Sequence, residues 1–160
     1  MQFTYNLQIN APIQKVFALV DDEQNLKLWM DGLEETIYPE SLNRQNPVGT
    51  KFKQRIREGR RIAEYDGEVL VYENPTHLAI IIGNQQFTMQ VDYRFSAKGE
   101  WTWLDYSATM VGGNFFMKLF AKLFAPLTRR ILDRQMRKLK EVAENSSPYQ
   151  MHSNAFAAAK

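Results

Sequence analysis

Between Leu33 and about Met110 the sequence carries no helical period. Short runs alternate apolar and polar residues and are separated by Gly, Asn and Pro, the pattern of one-sided strands joined by turns. Strands are expected over 34–39, 50–57, 60–72, 77–82, 86–95 and 101–110, in antiparallel succession. Residues 3–9 add a seventh, with Phe3, Tyr5, Leu7 and Ile9 on one face and Thr4, Asn6 and Gln8 on the other. A chain with so much one-sided strand has to lay its apolar face against a second layer.

Two segments of helical spacing supply that layer. After the first strand, Asn10 and Pro12 offer a cap and a first-turn proline, and Val16, Phe17, Leu19 and Val20 follow at helical spacing up to Asp21. A second short helix is expected from Glu23 to Met30, stopping at Gly32. The other helical segment is long, residues 114–144, about 46 Å at 1.5 Å per residue. The order strand, two short helices, six strands, long helix favours an α+β layout, a curved antiparallel sheet with its helices on one face. At 160 residues the chain fits one domain able to hide roughly 70% of its unfolded surface. We place that domain at 1–145. The polar, small-residue stretch 146–160 is expected to be a loose tail that Tyr149, Met151 and Phe156 pin locally.

The hairpin TKFKQRIREGRRIAEYDGE permits a register expectation. A two-residue turn at Glu58-Gly59 sets Lys53 opposite Glu64, Lys51 opposite Asp66 and Phe52 opposite Tyr65. One face then carries Phe52, Gln54, Ile56, Ala63, Tyr65, Val69 and Val71, and the other pairs Lys51, Lys53, Arg55 and Arg57 with Glu64 and Asp66. Gly67 falls on the inner face, where a missing side chain marks a bend or a close approach. In the last two strands the inner faces read Phe87, Met89, Val91, Tyr93, Phe95 and Leu104, Tyr106, Ala108, Met110.

The long helix is not a membrane span. Lys118 and Lys122 interrupt its apolar run, each costing roughly 2.5 to 3.5 kcal/mol on insertion scales, and Pro126, Arg129 and Arg130 close it off. Phe116, Leu119, Phe120, Leu123, Phe124 and Leu127 form one stripe, continued by Ile131, Gln135, Leu139 and Val142, that drifts around the axis and is expected to face the sheet. Residues 114–144 hold eight Lys and Arg against three acids, whereas the whole chain is only +2. A solvated basic outer face is the leading account of that asymmetry, and contact with an anionic membrane surface is the alternative. The small net charge and the lack of a recognition motif argue against a nucleic-acid partner.

Catalytic motifs are scarce. With no cysteine there is no disulfide, thiolate or Cys-based zinc site, and together with an N-terminus unlike a signal peptide this makes the cytoplasm the expected location. His77 and His152 are the only histidines, so no metal and no cofactor are expected, and Ser107 has no histidine near it for a triad. Glu64, Asp66 and Glu68 alternate on one strand and read as surface ion-pair partners. Gly112 and Gly113 precede a helix without phosphate-loop spacing. Trp101 and Trp103 share the outer face, exposing two indoles as an interface or packing under the tail.

INAPIQKVFALVDD, LKLWMDG around Trp29, VGTKFKQRIREG, DGEVLVYENPTHLAI and FAKLFAPLTRRILDRQMRKLKEV, in this order and spacing, resemble the helix-grip proteins of the START-like and pollen-allergen-like superfamily (SRPBCC). The branch most similar is the polyketide cyclase/dehydrase-like one, over residues 2–144. The resemblance implies a seven-stranded sheet gripping the C-terminal helix, with a hydrophobic cavity between them that in many members holds a lipid, polyketide or other apolar compound. By pattern, Gln54, Tyr65, Tyr93 and Tyr106 place polar atoms in that space among apolar walls, the combination that orients a bound small molecule. Trp29, Phe52, Met89, Val91, Ala108, Phe116, Phe120 and Leu123 complete the expected lining. The expected function is binding or carriage of a hydrophobic small molecule. A cyclase or dehydratase using the same cavity is the first alternative, and an interaction module working through the basic helix is the second.

Overall fold

The computed structural model describes residues 1–113 and 115–145, with their side chains except those of 113–121 and 124. The tail expectations, including His152, lie outside the described residues. Seven strands and three helices follow one another as β1 (Gln2–Ile9), α1 (Ile13–Asp21), α2 (Glu23–Leu26), β2 (Leu33–Ile37), β3 (Lys51–Glu58), β4 (Arg61–Glu73), β5 (His77–Gly83), β6 (Phe87–Lys98), β7 (Trp101–Gly113) and α3 (Phe115–Asn145). The strands form one antiparallel sheet in the order β1-β7-β6-β5-β4-β3-β2. The meander therefore runs from β2 to β7, and β1 returns to close its far edge. This is the α+β helix-grip arrangement.

Burial alternates along β7 as the sequence pattern requires. In β7, Thr102, Leu104, Tyr106 and Ala108 are buried, while Trp101 and Trp103 are exposed on the other face. Trp103 keeps its indole N–H satisfied on Asp105 at 3.1 Å. α1 lays Val16, Phe17, Leu19 and Val20 into the core, where Phe17 meets the edges of Phe95 and Tyr72 with ring centres 5.5 and 5.7 Å apart. Pro12, not Asn10, occupies the position before α1, and the Asn10 backbone N–H instead reaches Glu144 of α3 at 3.0 Å. α2 is shorter than the sequence indicates, a single turn whose cap is the carboxylate of Asp22, accepting from Gln24 N at 2.8 Å.

The β3–β4 register is two residues away from the expected one. The turn is Gly59-Arg60, so Lys53 faces Asp66, Gln54 faces Tyr65 and Phe52 faces Gly67. Gly59 has φ +64°, the left-handed conformation that a two-residue turn with glycine first demands. Because the slip is even, every side chain keeps its face. Lys53 still bridges Glu64 at 3.1 Å and Asp66 at 3.5 Å, and Arg55 reaches Glu35 at 3.3 Å. Gly67 is a point of close approach: a Cβ there would stand 2.3 Å from the tip of the Phe52 ring. A second departure lies in β4, where a bulge between Val69 and Val71 inserts one residue against β5. Past the bulge the phase reverses, and Tyr72 rather than Val71 turns inward.

α3 runs unbroken through Pro126 and packs mainly on β1 and α1. Among its described side chains Met136, Leu139 and Ala143 are buried, with Leu132 and Val142 packed beside them. Leu123, expected on the inner stripe, is 73% exposed, and Leu127 and Ile131 are exposed as well. At 100° per residue Leu123 and Leu139 lie on nearly opposite sides of the helix. The side that carries Leu139 is the covered one, and Leu123 and Leu127 lie off it.

Candidate functional site

Between the concave face of the sheet, the α1–α2 segment and α3 lies a cavity of about 170 Å³. Its floor is apolar, built from Val69 on β4, Leu78, Ile80 and Ile82 on β5, and Val91 on β6. Gln135 and Met136 of α3 form part of the roof, and Trp29 closes one side. The Trp29 indole is held rigidly, its N–H donating to the Leu19 carbonyl of α1 at 2.7 Å. For scale, an apolar void of roughly 150 Å³ accepts a benzene molecule.

Six of the residues expected from sequence line this space: Trp29, Phe52, Gln54, Val91, Tyr93 and Tyr106. Tyr65, Met89 and Ala108 do not. Tyr65 turns its hydroxyl to the Glu58 carboxylate at the hairpin end and packs on Phe87 at 5.9 Å. Met89 packs against the core beyond the wall. Ala108 is fully covered between its strand neighbours Phe3 and Val91. Leu123 points to solvent, and the side chains of Phe116 and Phe120 lie outside the described residues.

Sequence reasoning missed a polar cluster at the β2 side of the cavity. Asp21, Thr36, Tyr38, Arg44 and Tyr72 all line the wall there. Thr36 is the cross-strand neighbour of Gln54, so the Gln54 position carried a signal that a register for β2 would have extended. A bulge between Leu33 and Glu35 breaks the alternation that such a register needs. The β4 bulge hid Tyr72 in the same way, and Asp21 looked like a helix end.

Burial governs the electrostatics. The Thr36 hydroxyl oxygen is buried and has no hydrogen-bond partner among the described residues. Desolvation raises the Asp21 carboxyl above the usual carboxylate range, partly offset by a hydrogen bond from the Tyr72 hydroxyl at 3.0 Å and by the charge of Arg44. Desolvation, reinforced by neighbouring acids, pushes the Tyr38 and Tyr72 phenols up to about 12. Burial likewise raises Tyr93 and Tyr106, whose rings meet edge to face at 5.1 Å. At neutral pH these four groups are protonated phenols that donate hydrogen bonds and do not act as bases. Among the described residues no three His, Asp or Glu side chains are grouped to hold a metal ion, and no helix is long and apolar enough to cross a membrane.

The family described as polyketide cyclase / dehydrase and lipid transport matches residues 1–144. The chain belongs to this family. Among solved structures, this polyketide cyclase / dehydrase family member is similar to TTHA0849 from Thermus thermophilus, with 17% identity, a TM-score of 0.67, and 88% of this chain and 95% of that one covered. It also matches Ara h 8.0201 with 16% identity, a TM-score of 0.62, and 87% and 97% of the two chains covered. CalU16 from Micromonospora echinospora follows with 18% identity, a TM-score of 0.55, and 88% and 82% coverage. At such identities the likeness is one of fold. Among curated proteins no sequence matches. Family membership and the cavity together support a domain that binds a hydrophobic ligand.

Proposed function

We propose that the domain binds and carries a hydrophobic small molecule in this cavity. The observation that supports the reading is an apolar floor, Val69, Leu78, Ile80, Ile82 and Val91, under unfilled volume and beside a few protonated phenols. A folded core of this size closes such space unless something occupies it, because an empty cavity costs stability in proportion to its volume. The expected ligand is mostly apolar, with a small number of polar atoms. Native mass spectrometry and solvent extraction of the freshly purified protein test this, with an apolar compound expected to co-purify. A Val91→Phe variant fills the floor and is expected to abolish uptake of toluene; equal uptake by wild type and variant defeats the reading.

A cyclase or dehydratase activity in the same cavity draws support from the phenols of Tyr93 and Tyr106, which as fixed donors would polarise carbonyls of a folded chain while orientation supplies much of the rate. It requires turnover of an added poly-ketone substrate that Tyr106→Phe removes. Contact with an anionic membrane draws support from another observation, the exposed Leu123, Leu127 and Ile131 lying among Lys122, Arg130, Arg134 and Arg137 on the outer side of α3. Sedimentation with phosphatidylserine-containing vesicles, absent with neutral ones and lost in Leu127→Glu, is its expected signature.

A further inference from the structure

Two consecutive aspartates at the end of α1 have different fates. Asp22 caps α2, accepting from the backbone N–H of Gln24 at 2.8 Å and of Asn25 at 3.4 Å. Asp21 caps nothing. It is the last residue of α1, at the end of a helix where the dipole disfavours a negative charge. Its carboxylate is also largely removed from water, the direction of its shifted pKa agreeing with that geometry. A carboxylate so placed works against folding, and its presence needs another explanation. The explanation is where it faces: Asp21 lines the cavity. Tyr72 donates to one oxygen, Oδ2, at 3.0 Å, which leaves Oδ1 as an acceptor among the described residues. Arg44 stands on the same wall and supplies positive charge, while Tyr38, Trp29 and Leu26 give the surroundings an apolar and aromatic character.

We infer that Asp21 is a ligand-binding residue, and that the cavity selects an apolar ring or branched body carrying one hydroxyl group, whose O–H donates to the free oxygen of Asp21. The inference rests on the small-molecule reading above and narrows it to alcohols and phenols. A neutral hydroxyl suits the site better than an ammonium group. It loses less on leaving water, and Arg44 already provides the local positive charge. The size of the void, about 170 Å³, fits a single substituted ring. A charge-assisted hydrogen bond in such surroundings corresponds to about a tenfold gain in affinity over a matched compound without the donor.

The test is an NMR titration of the full chain with phenol, anisole and toluene, three probes of similar shape. Phenol is expected to bind about tenfold more tightly than toluene, with anisole no better than toluene because its oxygen only accepts. Asp21→Asn is expected to reduce the phenol advantage to less than about threefold while toluene binding stays. Tyr72→Phe, which frees the second carboxylate oxygen, keeps or enlarges the advantage and serves if Asp21→Asn does not fold. Equal binding of phenol and toluene, an anisole affinity matching phenol's, or a phenol advantage that survives Asp21→Asn or disappears in Tyr72→Phe overturns the assignment and leaves the cavity reading standing. Failure of all three probes to bind wild type overturns both.

Discussion

The two ends of the sheet are built differently. At the β1–β7–β6 end, α1 and the last turns of α3 press on the strands, and Ile9, Leu19, Leu104, Leu139 and Ala143 are completely buried. Rings fill what remains, Phe17 against Phe95 and Phe95 stacked on Tyr93 at 6.4 Å. Toward β2–β5 the same sheet faces unfilled space, which reaches Val91 and Tyr93 on β6 and Tyr106 on β7, and the wall mixes apolar floor residues with Thr36, Gln54, Tyr38, Tyr72 and Asp21. Stability and recognition are thereby separated. The packed end carries the folding free energy, which lets the hollow end keep a void and a hydroxyl that has no partner among the described residues, features a core would not tolerate.

The largest expected contrast is between two leucines of α3. Leu139→Ala opens a cavity in the packed end and is expected to cost about 2 to 5 kcal/mol in urea denaturation. Leu127→Ala, on the exposed stripe of the same helix, is expected to change stability by no more than about 0.5 kcal/mol. Comparable losses at both positions would mean that the outer stripe is covered in solution, and the division of the molecule would need redrawing.

Gly67→Ala comes next, because it strikes the hollow end at a close approach to the cavity wall. The new methyl group would overlap the Phe52 ring, with three ring atoms within 2.9 Å of the added Cβ. Phe52 lines the cavity, so the ring has room to swing into it. The expected cost is about 1 to 3 kcal/mol, together with loss of toluene uptake. Unchanged uptake would show that the ring moves elsewhere and that Phe52 does not bound the space.

The strands, their order of succession and the inward alternation of β6 and β7 were readable from the sequence because period two survives wherever the ladder is regular. Tyr93 and Tyr106 were placed correctly for that reason. Tyr72 and Thr36 were not, because each lies beyond a bulge, and a bulge is an insertion of one residue that leaves no compositional trace. The β3–β4 slip leaves no trace in the pattern for the opposite reason: a shift of two preserves every face, so Gln54 faces inward under either pairing. For α3 the apolar spacing was real in both halves. What it did not reveal is which part of that single drifting stripe would be covered. Leu123 was lost on that choice, and the buried face around Met136 and Leu139 won because β1 and α1 meet the helix there.

Thr36→Val sharpens the comparison from the side of function. In the packed end a polar atom finds its partner, as Thr102 does in donating to the Ala11 carbonyl at 2.7 Å. Thr36 has none among the described residues. Replacing its hydroxyl with a methyl group of the same shape removes a desolvated, unpaired oxygen, and thermal unfolding is expected to show a gain of about 1 kcal/mol. Thr102→Val is expected to lose a similar amount. If both substitutions destabilise, Thr36 is paired in solution and the hollow end is less hollow than its geometry indicates.

The smallest expected effect concerns how the hollow end is tied to its roof. Asp31, in the loop after α2 that also carries Trp29 and Met30, binds Arg134 at 2.7 Å and Lys138 at 3.0 Å on α3. The Lys138 hydrogen bond, with the charges of Lys138 and Arg134, outweighs partial burial and holds the Asp31 carboxyl below its usual range. A depressed folded-state pKa means that the unfolded chain takes up the proton first as pH falls. The contribution is therefore fully present above the unfolded value of about 3.9 and is lost as pH falls through the lower folded value. The three groups are substantially exposed, so the tie is worth no more than about 1 kcal/mol and weakens in salt. Asp31→Asn is expected to lower stability by that amount at pH 7 and to approach wild type at pH 3, whereas the cost of Leu139→Ala, being one of packing, persists at both. A deficit of Asp31→Asn that is the same at pH 3 and at pH 7 would show that the aspartate acts through shape and not through charge, and that the roof of the cavity is held by the same means as the packed end.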